Sequence, residues 1–484
     1  MRCGDLTAPP PPTIGKREKG RDTPQPPPPS PPPPPPPHIN ATKWRRRSSW
    51  FWGTKKTMSR FDLVIYGASG FTGAYIVERL VTSKYYEGLN FAVAGRNQAK
   101  LQKVLDEVSK KTGKDIVSTP IIIADSADEH SLADMARRAK VIVNAVGPYR
   151  LYGEAVVKAA VENGASHVDI SGEPAFLEQM QMLYGEKAKE KGVYVVGACG
   201  WDSIPCDMGV NFLKEKFDGD LNHVESFVQM TTGPSGYSLN DGTYQTLILG
   251  ISGMKSDGLG RIRRSIMPEK IVKGTVKPPK RGPLWQIHEK ELDGWALPFM
   301  GSDKSIVNRS QYYDAVNNGK RPVHIETYLR VSSLLWAVLL AAWLVIFALL
   351  AQFKFTRKIL QKYPDICSFN IFKASGPTEQ QIKEAGFIYW FFGYGYANHK
   401  PMTEQHLGNP DQRMVVSCKG PDAGYMATSA CALSAALSVV RDSHSLPHGG
   451  GVFTTASAFA KTNIYSYLDS FGITFQVESA QSQV

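Results

Sequence analysis

The segment that most restricts this chain is Asp62-Leu-Val-Ile-Tyr66 followed by Gly67-Ala68-Ser69-Gly70-Phe71-Thr72-Gly73. A short apolar run ends in glycine, and Ala74, Val77, Leu80 and Val81 then recur at helical spacing. A strand that turns through spaced glycines into a helix predicts the start of a dinucleotide-binding βαβ unit, with all seven turn residues as cofactor contacts. Gly67 allows the tight turn, Gly70 lets the backbone approach a pyrophosphate, and Gly73 lets the helix pack on the strand. The helix N-terminus adds unpaired N–H groups and the positive end of its dipole. The spacing is GxxGxxG, with Ser69 in the middle position, and any tight strand–helix turn also uses glycine.

The chain that follows repeats the alternation. Apolar strands are predicted at Phe91–Ala94, Pro120–Ala124, Val141–Val146, Val168–Ile170 and Val193–Gly197, with helical periodicity between them. Strands nearly continuous in apolar residues belong to a parallel sheet covered on both faces. The expected class is α/β, a Rossmann-type doubly wound sheet over residues 58–210, with a second α/β domain over 211–330 and 354–440. Residues 441–484 are expected to rejoin the fold.

Strand ends supply the other site candidates. Arg96 lies 23 positions after Gly73, where an NAD enzyme would place a carboxylate for the ribose 2′-OH. An arginine there pairs with a 2′-phosphate instead, so NADP(H) is favoured over NAD(H), with Asn97 beside it. A solvated arginine at a helix start is the alternative. Asp125 is placed for adenine contacts, or as an N-cap. Gly147 and Tyr149 fall near the nicotinamide end. In Gly197-Ala-Cys199-Gly200-Trp201-Asp202-Ser203-Ile204-Pro205-Cys206, Asp202 and Ser203 are natural caps. They could equally bring a carboxylate and a hydroxyl to the cleft. Tyr149, Asp202 and Ser203 are the proton-donor candidates. Cys199 and Cys206 have no further ligands at zinc spacing, so no metal is expected.

Charge and proline are local. Residues 1–37 hold 16 of the 33 prolines, and residues 1–57 hold 11 Lys/Arg against three Asp/Glu, a net +8 of the total +12. The remaining +4 gives no reason to expect a nucleic-acid surface. Residues 1–57 are expected to be a disordered extension. Residues 24–37 could offer a polyproline ligand, and Lys43–Trp52 a basic-aromatic tether. A mitochondrial presequence fits less well, because the proline runs forbid an amphipathic helix.

One segment departs from a soluble pattern. Between Arg330 and Lys354 lie 23 uncharged residues, 331–353, without Gly or Pro. As a helix they would reach roughly 34 Å, against about 30 Å for a hydrocarbon core. Trp336 near one end and Lys354, Arg357 and Lys358 at the other fit interfacial anchoring. Membrane or lipid-droplet contact is expected, against a buried core helix as the alternative.

GASGFTG, Ala94-Gly-Arg-Asn97, Asn144-Ala-Val-Gly-Pro-Tyr149, Asp169-Ile-Ser-Gly-Glu173 and Cys199–Gly209 together resemble the saccharopine dehydrogenase-like oxidoreductases. They are also similar to bacterial trans-acting enoyl reductases of lipid synthesis. The resemblance runs from Met58 nearly to the C-terminus. It implies a Rossmann domain, a second α/β domain, a dinucleotide and lipid-surface association. It does not supply a substrate, and no arginine motif maps onto a grip for saccharopine's carboxylates.

The expected function is an NAD(P)H-dependent oxidoreductase acting on a hydrophobic carbonyl, enoyl or imine at a membrane or droplet. A dinucleotide-binding lipid-surface scaffold without turnover, or a true saccharopine dehydrogenase, are the alternatives. Because the C-terminal part must rejoin the fold, a monotopic, cytosol-facing protein of the lipid droplet or endoplasmic reticulum is expected over a mitochondrial one.

Overall fold

Strand Phe61–Tyr66 is buried along its last four residues and lies inside a seven-stranded sheet. The computed structural model describes residues 59–484. The expectations for residues 1–57 lie outside these. The sheet runs Ile121–Ile123, Phe91–Gly95, Phe61–Tyr66, Ala139–Asn144, Ser166–Asp169, Tyr194–Val196, Gly451–Phe453. Every neighbouring pair is parallel. In chain order the first six strands run 3-2-1-4-5-6, the doubly wound arrangement with its switch point between Phe61–Tyr66 and Ala139–Asn144. The seventh strand arrives from the far end of the chain.

A second seven-stranded sheet runs Thr474–Gln483, Gln412–Pro421, Gly386–Tyr396, Asp220–Thr231, His324–Val331, Trp295–Pro298, Trp285–Gln286. It is mixed: Asp220–Thr231 pairs parallel with His324–Val331 and antiparallel with Gly386–Tyr396. Helix Ile204–Lys216 bridges the layers, and one hydrophobic core joins Leu63, Ile65 and Val143 of the first to Val224, Phe391 and Val416 of the second.

Helix Thr428–Arg441, the last element before the boundary expected at 440/441, packs on helix Phe71–Thr82 and strand Ala139–Asn144. It is a cover of the first sheet, buried through Ser429–Val439. Its small residues (Ala430, Ala432, Ala435, Ala436) allow that close approach.

The apolar segment forms helix Leu334–Gln352, with mean hydropathy 2.8. Ala337, Phe347 and Ala351 face the protein. Phe347 packs on Tyr244 and stacks on Trp343, and Tyr244 lies in helix Asp241–Gly253. The opposite face points outward: Leu335, Leu339, Val345, Ile346 and Leu349 are each about half or more exposed. The strands of the second sheet that stand on either side of this helix in the chain, His324–Val331 and Gly386–Tyr396, both pair with Asp220–Thr231. The two flanks therefore belong to one sheet.

Candidate functional site

The glycine turn sits at the switch point. Gly67 has φ +87°, and a Cβ there would lie 2.7 Å from the Val146 side chain. A Cβ on Gly73 would lie 2.1 Å from the Gly67 carbonyl oxygen, so the helix packs against its own turn. Gly70 differs. Its backbone is extended (φ −81°, ψ 167°), and a Cβ would meet only the Gly67 oxygen, at 3.2 Å. The fold itself does not demand glycine at 70, whereas a pyrophosphate laid against the turn would.

Helix Phe71–Thr82 starts with no side-chain cap. Its first N–H groups have no intrahelical acceptors. The neighbouring helix Tyr149–Glu162 is already closed: the Glu173 carboxylate accepts from Tyr149 N at 2.8 Å and Arg150 N at 3.2 Å. The open terminus is thus the one carrying the glycines, and the residues present fit a dinucleotide. Within the turn Ala68 is buried, and Ser69 and Thr72 are half-buried. The Phe71 ring turns away, 4.6 Å from Tyr425 and against Gly376, so only its backbone serves the turn.

At the second strand, Arg96 is exposed. Asn97 Oδ1 accepts from Lys100 N at 3.0 Å and caps helix Gln98–Thr112, which commits that oxygen. Asp125 does not cap a helix. It accepts from Ala127 N at 3.0 Å, and the cap of Glu129–Arg137 is Asp128. Arg96, Asp125 and Ser126 gather about the buried Tyr66 hydroxyl, which burial pushes up to about 12. Gly147 precedes Tyr149 at the fourth strand end. The Tyr149 phenol is buried; it donates to Asn144 O at 2.8 Å and accepts from Ile170 N at 3.3 Å. It braces two loops, and its proton is committed to Asn144 O.

Beneath these loops lies a buried polar line. His167 approaches Asn144 at 3.3 Å and Asp169 at 3.7 Å. Burial holds the imidazole neutral, at about 3, and pushes Asp169 up to about 7.

Asp202 and Ser203 open helix Ile204–Lys216, but neither caps it by a side-chain hydrogen bond. Ser203 Oγ lies 2.7 Å from Ser302 Oγ, and both hydroxyls donate to Asp202 O. The Asp202 carboxyl sits between Gly172 and Gly301: a Cβ on either would come within 2.9 Å of its oxygens. Its Oδ2 accepts from Ser302 N at 3.4 Å, and among the described residues its Oδ1 has no partner. Burial pushes this carboxyl up to about 7. Asp303, next along, accepts from the Tyr389 hydroxyl at 3.0 Å, and burial followed by the Asp202 charge pushes it well above the carboxylate range. Gly301, Ser302, Asp303 and Tyr389 were absent from the sequence reading. They come from a loop and a strand about a hundred or more residues away, and the one signal, a Gly-Ser-Asp triplet before a helix, reads as an ordinary cap.

These shifts set a pH dependence. In the unfolded chain Asp202 ionises near 4, whereas in the fold it keeps its proton to about 7. At this carboxyl the folded state binds more protons in that window, so the Asp202 contribution to stability falls as pH rises from about 4 to about 7 and then levels off, while buried His167 contributes in the opposite sense. Relative to the wild type, the urea midpoint of Asp202→Asn should therefore rise across this window. An unchanged slope would show that Asp202 is already ionised in the fold.

Glycine turn, switch point and open helix terminus define a dinucleotide-binding Rossmann protein. Residues 63–196 match the family described as saccharopine dehydrogenase NADP binding domain. The chain is 64% identical over 422 residues to a "lipid droplet localized protein" of Caenorhabditis elegans, covering 87% of this chain and 99% of that one. It is 41% identical over 427 residues to the human saccharopine dehydrogenase-like oxidoreductase, covering 87% and 98%. An Arabidopsis thaliana relative named as a probable mitochondrial saccharopine dehydrogenase-like oxidoreductase is 31% identical over 453 residues, covering 88% and 98%. The chain belongs to the saccharopine dehydrogenase-like oxidoreductase family.

Proposed function

We propose that this protein is an NADP(H)-dependent oxidoreductase that acts on a hydrophobic carbonyl, enoyl or imine substrate drawn from a lipid surface. The observation that carries this reading is the union, in one folded unit, of the open glycine turn with a helix that turns a full apolar face outward. The C. elegans relative's name supports a droplet, and the plant relative's name favours another compartment. The continuous second sheet favours both flanks of the helix on one side, facing the cytosol.

A bound dinucleotide would supply the hydride. The turn Gly67–Gly73 would hold its pyrophosphate, and Arg96, with Asp125 nearby, its adenosine end. Asp202 is the favoured proton donor of the three candidates. Its carboxyl keeps a proton near neutrality and an oxygen without a partner, whereas Tyr149 and Ser203 are engaged. That engagement is what favours the second reading, a dinucleotide-binding lipid-surface scaffold without turnover. Purified protein with NADPH and a panel of long-chain carbonyls and enoyl thioesters separates them: cofactor oxidation supports the enzyme, and tight binding without oxidation supports the scaffold.

The cofactor choice has its own test. A charged hydrogen bond contributes about 1.5–3 kcal/mol, so Arg96→Ala should weaken NADPH by roughly 10- to 100-fold and NADH little. Equal losses, measured by fluorescence titration, would remove Arg96 from the 2′-phosphate.

A further inference from the structure

The outward apolar surface continues past Gln352. Helix Lys354–Lys362 buries Leu360 against the protein and turns Phe355 and Ile359 out, at 76% and 40% exposure. Lys354, Lys358 and Lys362 recur every fourth residue and form a stripe directly beside Phe355 and Ile359. Beyond it, Ile366 and Phe369 are 70% and 78% exposed. Phe369 and Asn370 sit at φ +52° and +63°, a region costly for a phenylalanine, and they turn the ring to the outside.

Along the two helices the charge on this surface has one sign, and exposed Asp365 follows them beside Ile366. From Val331 to Tyr363 the chain carries four cations and no carboxylate. Arg357 is used internally, since its guanidinium donates to Ala351 O and Gln352 O and closes the end of the apolar helix. The three lysines are exposed, and among the described residues no carboxylate lies within ion-pair distance of them. Gln352 Nε2 also donates to Ile251 O at 3.0 Å, which brings exposed Met254 and Lys255 to the same end of the helix. Apolar side chains with cations along one edge match the boundary between acyl chains and anionic headgroups.

We infer that this surface docks on a phospholipid layer rich in anionic headgroups, with Leu334–Gln352 and Phe355, Ile359, Ile366 and Phe369 in the acyl region and Lys354, Lys358 and Lys362 on the phosphates. The inference rests on the lipid-surface reading above and adds the headgroup class. The test uses the full chain floated with vesicles of phosphatidylcholine alone, or with phosphatidylserine added. Each lysine is worth about fivefold in partitioning, so the serine-containing vesicles should hold the protein up to ~100-fold more tightly, an advantage that falls with salt. Lys354→Glu with Lys358→Glu and Lys362→Glu should erase it, while binding to neutral vesicles persists. Equal wild-type binding to both vesicles overturns the headgroup inference and leaves the lipid reading standing. Binding to neither overturns the lipid reading too, and self-association by light scattering in that case would assign the face to a second copy.

Discussion

Gly70→Val should weaken dinucleotide binding by roughly a hundredfold or more while leaving the fold intact. At φ −81° and ψ 167° the backbone suits any L-residue, and the protein presents a Cβ with one contact, at 3.2 Å. A valine would project into the space where the turn and the open N–H groups of helix Phe71–Thr82 face a pyrophosphate. Losing two charge-assisted hydrogen bonds, at about 1.5–3 kcal/mol each, weakens NADPH and NADH alike by roughly a hundredfold or more. Gly73→Val provides the contrast. Its Cβ would lie 2.1 Å from the Gly67 oxygen and 2.8 Å from Ala68 Cα, so the helix must leave the strand. That variant should unfold at a clearly lower temperature even without nucleotide. Calorimetric titration with thermal melts distinguishes the two. Nucleotide affinity retained in Gly70→Val would mean that the phosphates do not lie on this turn.

The contrast between these glycines marks how far sequence reasoning reaches. The turn, the alternating strands and the outward helix are local patterns: each is set by residues within about twenty positions, and each was legible. The strand Gly451–Phe453 was not, because its three residues join the first sheet only through pairing with Tyr194–Val196, some 250 positions earlier. The same holds for the setting of Asp202. Glycines 172 and 301 flank its carboxyl, and the Ser302 backbone N–H donates to its Oδ2 from the loop that follows strand Trp295–Pro298 of the second sheet. Tyr149 fails in the other direction. A tyrosine after Gly-Pro at a strand end reads as a cleft residue, but its hydroxyl is spent on Asn144 and Ile170, and nothing local announces that. Tyr396-x-x-x-Lys400, which imitates a catalytic pair by spacing, ends a strand of the second sheet, where Tyr396 stacks on His406 at 4.1 Å and donates to Gly408 O.

Leu339→Arg with Val345→Arg should move the protein from the membrane or droplet fraction to the soluble one and leave nucleotide affinity unchanged. Both side chains lie on the outward face, at 48% and 60% exposure, so the charges meet solvent without disturbing the packing of Phe347, Trp343 and Tyr244. Phe347→Arg is the control. Its ring is 2% exposed, and a charge there would break the helix from the protein and lower thermal stability. Arginine at the centre of an apolar segment costs about 2.5–3.5 kcal/mol on insertion scales, so two of them outweigh the partitioning of a single docked helix. The sheet supports the one-sided topology proposed above. His324–Val331 and Gly386–Tyr396 flank Asp220–Thr231 in one hydrogen-bonded layer, and separating them across a bilayer would tear out a central strand pairing. Protease added outside sealed microsomes should therefore cut near Ser302 and near Asp442 equally. Protection of the Asp442 side alone would mean that the helix spans, and that the second sheet does not form in the membrane-bound protein.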